Sequence, residues 1–236
     1  MGDPVVLIPP ILCDARVFAG QIAELSRDHP VLFAPTRGAE TIEVAAANIL
    51  AWAPQEFALA GAGMGGMVAL ELLRRAPKRI TRVAFINANA QADTPKKAAD
   101  REPTIIAAKS GRFEDVINEK FAACRFSDQT NVPDLMPLLR DMANGIGADA
   151  YIQQVRAVQR RKDQQAVLRK ITQPALVISC DGDPENTQRR QEFLAEMIPY
   201  AKHVVIKGAG LLPSLEQPAR LSQILRDWCR QPLVLR

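Results

Sequence analysis

Runs of three or four apolar residues alternate with stretches of helical period along most of this 236-residue chain. That alternation constrains the fold more than any other feature. Val5-Val6-Leu7-Ile8 is too short for a helix and apolar at every position, which suits a strand covered on both faces. A helical period follows over residues 15–27, with Val17, Phe18, Ile22 and Leu25 on one face. The pattern repeats: a strand over 31–33, a helix over 41–52, and a strand over 57–60. A glycine-rich turn at 61–66 then leads into a helix ending near Pro77, and a strand follows over 83–86. Strands separated by helices predict a parallel sheet with helices on both faces.

From residue 94 to 163 no strand pattern is present, only amphipathic helical stretches with expected breaks at Ser110-Gly111, at Pro133 and over 144–147. The sheet resumes at 175–178, followed by a helix over 187–198, a strand over 204–206 and a helix over 218–229. The expected organisation is a six-stranded α/β core from residues 1–93 and 164–236, with residues 94–163 inserted as a helical lid. Ligands of open parallel sheets bind at the carboxyl ends of the strands. Here those ends carry residues 9–13, 61–65, 87–90, 180–183 and 208–212.

Composition removes several function classes. No apolar run approaches the roughly 20 residues a membrane span needs. The net charge of +4 comes from short basic clusters at helix ends, and only 5% of residues are aromatic. Neither feature suits a nucleic-acid surface. Cys13, Cys124, Cys180 and Cys229 are scattered without CxxC spacing, so neither a metal nor another cofactor is expected. The first residues lack a basic leader and are interrupted by Pro9-Pro10, and the expected location is the cytoplasm.

Four stretches in order give the chain a resemblance to the α/β-hydrolase superfamily, in particular to small bacterial esterase-like members. They are Leu12-Cys13-Asp14-Ala15-Arg16-Val17-Phe18, Gly61-Ala62-Gly63-Met64-Gly65-Gly66, Asp183 after the fifth strand, and 208–218 after the sixth, reading GAGLLPSLEQP. The resemblance implies a sharp strand-to-helix turn at 61–65 that presents a nucleophilic serine. Gly63 stands at that position. It also implies a histidine where Leu211 stands, and an acid at Asp183. Two backbone donors, Met64 and by motif position Ile11, are implied for an oxyanion, although Pro10 replaces a usual glycine beside Ile11. Glycine offers no side chain for attack, and leucine moves no proton. Without an imidazole to orient, Asp183 reads as a turn residue opening the next helix.

Only two histidines, His29 and His203, are present. Both read as loop or surface residues at the amino end of the sheet, far from the expected site. Three functions stay open. The first is a binding or regulatory protein whose apolar pocket takes a small hydrophobic acid or ester, with Ile11, Met64, Gly65, Cys13 and Asn87 as contacts. The second is an enzyme with other chemistry, of lyase, isomerase or decarboxylase type, drawing on strand-end residues such as Cys13, Asn87 and Asp183. The third is a residual carboxylesterase with a displaced triad. Asp14 is expected to cap the helix after it. In the lid, Arg156, Arg160 and Arg161 read as a solvated basic face behind Ile152, Val155 and Val158. An arginine turned inward would favour an acidic ligand.

Overall fold

The computed structural model describes residues 2–123, 126, 130–183 and 188–233. Six parallel strands form one sheet in the order β2-β1-β3-β4-β5-β6: β1 Val5–Ile8, β2 Val31–Phe33, β3 Phe57–Ala62, β4 Ile80–Ile86, β5 Ala175–Cys180 and β6 Ala201–Ile206. Strand order reverses beside β1, so the carboxyl ends of β1 and β3 face a topological switch point.

Alternate residues of each strand enter different layers, as the two-residue strand period requires. Val5, Leu7, Ala58, Ala60, Ala84 and Ile86 pack with Phe18 and with Leu221, Leu225 and Trp228. The last three belong to α12 (Pro218–Cys229), which lies beside α1 (Ala19–Leu25). Val6, Ile8, Leu59, Val83 and Phe85 face the other layer, with Ile42, Ile49, Val68 and Leu72 from α2 (Ile42–Trp52) and α3 (Met64–Arg75). Both faces being covered explains why the central strands are apolar throughout.

Between β4 and β5 lie α4 (Pro95–Asp100), α5 (Glu102–Lys109), α6 (Phe113–Ala123), α7 (Val132–Ile146), α8 (Ala148–Gln159) and α9 (Gln165–Leu168). After β5 come α10 (Gln188–Glu196) and, past β6, α11 (Pro213–Glu216). Among the described residues, no helix is long and apolar enough to cross a membrane.

Two local expectations need correction. The helix read over 15–27 opens as a 3₁₀ turn, Ala15–Phe18, and α1 ends at Leu25. Asp14 does cap that turn, accepting from the Arg16 N–H. The break expected at Pro133 falls at the start of α7: Pro133 sits in its first turn, where its missing N–H would have had no helical partner. α7 runs past Pro137 and ends at Gly147, whose φ of +83° suits glycine. Finally, β6 begins at Ala201, three residues earlier than its apolar run suggests.

Candidate functional site

The turn between β3 and α3 can be this sharp only because its flanking residues lack Cβ atoms. A Cβ on Gly61 would stand 2.3 Å from the Gly65 carbonyl oxygen, and one on Gly65 2.2 Å from that of Ile8. One on Gly66 would stand 2.4 Å from Ala88 Cβ. The start of α3 is thus pressed against β1, β3 and the end of β4. At the tip, Gly63 has φ +52° and ψ −114°, a region that costs other residues about 1–3 kcal/mol. A Cβ there would meet Pro10 Cβ at 3.2 Å. The Met64 N–H opens α3 and has no carbonyl of its own helix to bond, and the first turn carries no acidic side chain. It offers partial positive charge to whatever lies above Gly63.

The loop after β1 is held from above. Leu12 has φ +64°, and its N–H donates to Gln154 Oε1 at 3.2 Å. Gln154 Nε2 in turn donates to Thr36 Oγ1 at 2.9 Å. α8 therefore fixes the backbone that carries Ile11 and Cys13.

Asn87, past the end of β4, joins two strand ends. Its backbone has φ +45°, which asparagine enters at lower cost than most residues. Its N–H donates to the Ile178 carbonyl at 2.9 Å. Nδ2 donates to the Gly210 carbonyl at 3.1 Å and, more weakly, to that of Leu211 at 3.4 Å. Oδ1 is buried without a hydrogen-bond partner. From the other side Glu216 accepts from the N–H groups of Gly210 and Leu212 at 2.9 and 3.0 Å. The segment that carries Leu211 is held on both flanks. Gly182 N–H donates to Ala209 O at 3.0 Å, and neighbouring Asp183 is buried. The capping role expected of Asp183 falls on residues 184–187, outside the described residues.

Above Gly63 lies a cavity of about 150 Å³. The strand-end loops make its floor with Pro10, Ile11, Cys13, Met64, Asn87 and Leu211. Of the five ligand contacts expected from sequence, Ile11, Met64, Cys13 and Asn87 line the cavity. Gly65 and Asp183 do not: Gly65 is spent on packing against β1.

The roof comes from the helices between β4 and β5. Phe121, Tyr151, Val155 and Val158 supply its apolar part, and Asp93, Lys97, Arg101, Lys120 and Arg161 its charge. Asp93 lies 2.6 Å from Arg101 Nε and 2.8 Å from Arg161 Nη1, with its side chain 1% exposed. Burial alone would raise the Asp93 pKa, but the hydrogen bonds and charges of Arg101 and Arg161 outweigh it and hold the carboxyl below the usual range. Arg161 also donates to the carbonyls of Gln91 and Val158, each at 2.8 Å. The basic face expected at 156–161 is therefore divided. Arg156 turns outward to Glu102, whereas Arg161 is buried in the roof. Arg161 falls just past the end of α8, where the helical period no longer assigns its face.

The histidines differ from expectation in one case. His29 Nδ1 lies 2.9 Å from the Asp3 carbonyl, at the amino end of the sheet as expected. His203 is the third residue of β6, paired in register with Val177, and its Nε2 lies 2.8 Å from Ser179 Oγ. It is half-buried, not a loop residue. Burial lowers its pKa. Ser179 is 0% exposed and lines none of the cavity. Cys180 lies beside Asn87, and its pKa is pushed up to about 12, chiefly by burial, leaving it a thiol at neutral pH. Among the described residues no three His, Cys, Asp or Glu side chains are grouped to hold a metal.

Residues 5–224 match the profile of the Alpha/beta hydrolase family. Among curated proteins, a pimeloyl-[acyl-carrier protein] methyl ester esterase of Aromatoleum aromaticum is 27% identical over 209 residues, 83% of this chain and 82% of that protein. Among solved structures, a thermophilic esterase from Thermogutta terrifontis superposes with a TM-score of 0.87 at 24% identity. That match covers 98% of this chain and 90% of the esterase. The enol-lactonase from Burkholderia xenovorans LB400 gives 0.87 at 23% identity, covering 98% and 92%.

Proposed function

The chain belongs to the Alpha/beta hydrolase family, and we propose that it is a member that binds a small apolar acid or ester above Gly63 without hydrolysing it. One observation carries the reading: the strained tip of the β3–α3 turn is occupied by glycine, φ +52°. An ester carbonyl placed against the Met64 N–H meets hydrogen-bond donation and helix charge, but no hydroxyl or thiol at position 63 to attack it. Leu211, in the cavity floor, adds apolar surface where a proton carrier would be needed. In this reading residues 94–163 act as the lid and Asp183 has no imidazole to orient.

The curated relative is named for cleaving a methyl ester. The same chemistry in this chain would need another nucleophile. Ser179 and His203 form the one Ser–His hydrogen bond among the described residues, but Ser179 is sealed within β5, so substrate has no approach. Cys180 is held as a thiol by burial and lines none of the cavity; the thiol in the floor, Cys13, is itself 2% exposed.

Two measurements test the proposal together. Purified protein is expected to release no p-nitrophenol from short p-nitrophenyl esters above a heat-denatured control. Methyl hexanoate is expected to raise the melting temperature by several degrees, since about 2.7 kcal/mol accrues at a hundredfold excess over Kd. Turnover, or no shift at saturation, overturns the proposal.

A further inference from the structure

Charge is distributed unevenly in the cavity. The floor contributes backbone amides, Asn87, Met64 and apolar side chains, and every charged side chain of the lining lies in the roof or the segment leading to it. There, Lys97, Arg101 and Arg161 lie with one carboxylate of the lining, Asp93. Asp93 neutralises only part of that charge, although it pairs with both arginines. An excess of positive charge in a partly enclosed, largely apolar space attracts an anion far more strongly than the same charge in water.

A second observation lies in the same wall. Tyr151 is 0% exposed and lines the cavity. Its hydroxyl makes no hydrogen bond within ordinary geometry, with the Thr104 side chain beside it and the charges of Arg101 and Glu119 near enough to act on it. Phe113 packs against the ring with centroids 5.6 Å apart, so the ring is held in place. Burial raises the phenol pKa above its ordinary value, and the group is a donor at neutral pH. A buried hydroxyl is rarely left without a partner. In a cavity wall, a ligand is the natural one.

We propose that the roof is an anion subsite: the ligand carries a carboxylate at the end remote from Gly63, received by Lys97, Arg101 and the Tyr151 hydroxyl. The inference deepens the proposed function, because it presumes a ligand above Gly63. It specifies a bifunctional one, with an ester or acyl carbonyl at the floor, a short apolar spacer, and a carboxylate at the roof. Arg161 is a positioning residue in this scheme, since its bonds to Asp93, Gln91 and Val158 hold the wall to which Arg101 is paired.

The test compares two probes of nearly equal size by isothermal titration calorimetry: monomethyl adipate and methyl hexanoate. They share the ester end and differ in whether the far end is a carboxylate. Wild-type protein is expected to prefer monomethyl adipate by about tenfold or more, the range of one hydrogen bond to a charged group. Lys97→Met and Tyr151→Phe are each expected to cut that preference about tenfold while leaving methyl hexanoate affinity unchanged. The Tyr151→Phe protein should melt no lower than wild type, because the hydroxyl it loses has no partner in the free protein. Equal binding of the two probes, or a preference that survives both variants, overturns the subsite while the binding proposal stands. Binding of neither probe overturns both.

Discussion

The floor and the roof of the cavity differ in what holds them. On the floor, Gly61, Gly65 and Gly66 bring three backbone segments so close that a single methyl group would collide with a carbonyl or a neighbouring Cβ. Position there is fixed by the absence of atoms. The roof is fixed by added polar groups: the Asp93 carboxylate with Arg101 and Arg161, and Gln154 bonded to both Leu12 and Thr36. A floor of this kind tolerates almost no change in its glycines, whereas a roof of this kind can change its ligand by changing side chains. The proposed function uses both, with a rigid backbone donor below and a charged, adaptable wall above.

The sharpest way to break the comparison is Gly65→Ala. Its new Cβ meets backbone, which cannot rotate away, so a loss of about 3–5 kcal/mol or outright misfolding is expected in urea unfolding followed by tryptophan fluorescence. Gly111→Ala is the matched control. Gly111 has φ +80° but nothing within 4 Å of an added Cβ, and about 1 kcal/mol is expected. If the two variants cost the same, close packing does not set the floor.

On the roof, Asp93→Ala leaves Arg101 and Arg161 facing each other without their carboxylate, and a loss of about 3 kcal/mol is expected from the same unfolding curves. Because the folded-state pKa of Asp93 is lowered, its contribution is present above the unfolded value of about 4 and is lost as pH falls through the folded value. Asp93→Asn should therefore flatten the acid limb of stability against pH below about pH 4. An unchanged acid limb would count against the ion cluster as the roof's anchor.

Gln154→Leu removes one acceptor and one donor between floor and roof. About 2 kcal/mol is expected, with the Leu12 N–H left unpaired. The smallest effect belongs to His203, outside the cavity. Its lowered pKa means that the unfolded chain takes up the proton more readily, so stability should fall slightly as pH drops below about 6.5. His203→Gln should remove that slope and cost less than about 1 kcal/mol at neutral pH.

The same contrast explains what the amino-acid order revealed. The floor was legible because its determinants are local: four glycines within six residues, a strand before them and a helix after them. The whole α/β alternation was legible for the same reason. The roof was not. Arg156, Arg160 and Arg161 look alike in sequence, and which of them turns inward depends on where α8 stops. Asp93 gave no signal, because its partners lie 8 and 68 residues away. Tyr151 gave no signal either, since the lack of a hydroxyl partner is a property of the packed structure. His203 reads as a loop residue in sequence because β6 is an edge strand, and the polar Lys202 and His203 interrupt the apolar pattern of its first residues.

The central claim is that Gly63 leaves this fold with a binding site and no nucleophile at the tip of the β3–α3 turn, and intact-mass measurement after treatment with a fluorophosphonate probes it directly. The wild-type protein is predicted to carry no adduct. A Pro10→Gly, Gly63→Ser, Leu211→His variant is predicted to gain one at position 63, the first change relieving the 3.2 Å approach of an added Cβ to Pro10. A stoichiometric adduct on the wild-type chain, mapped to any residue lining the cavity, would contradict the account.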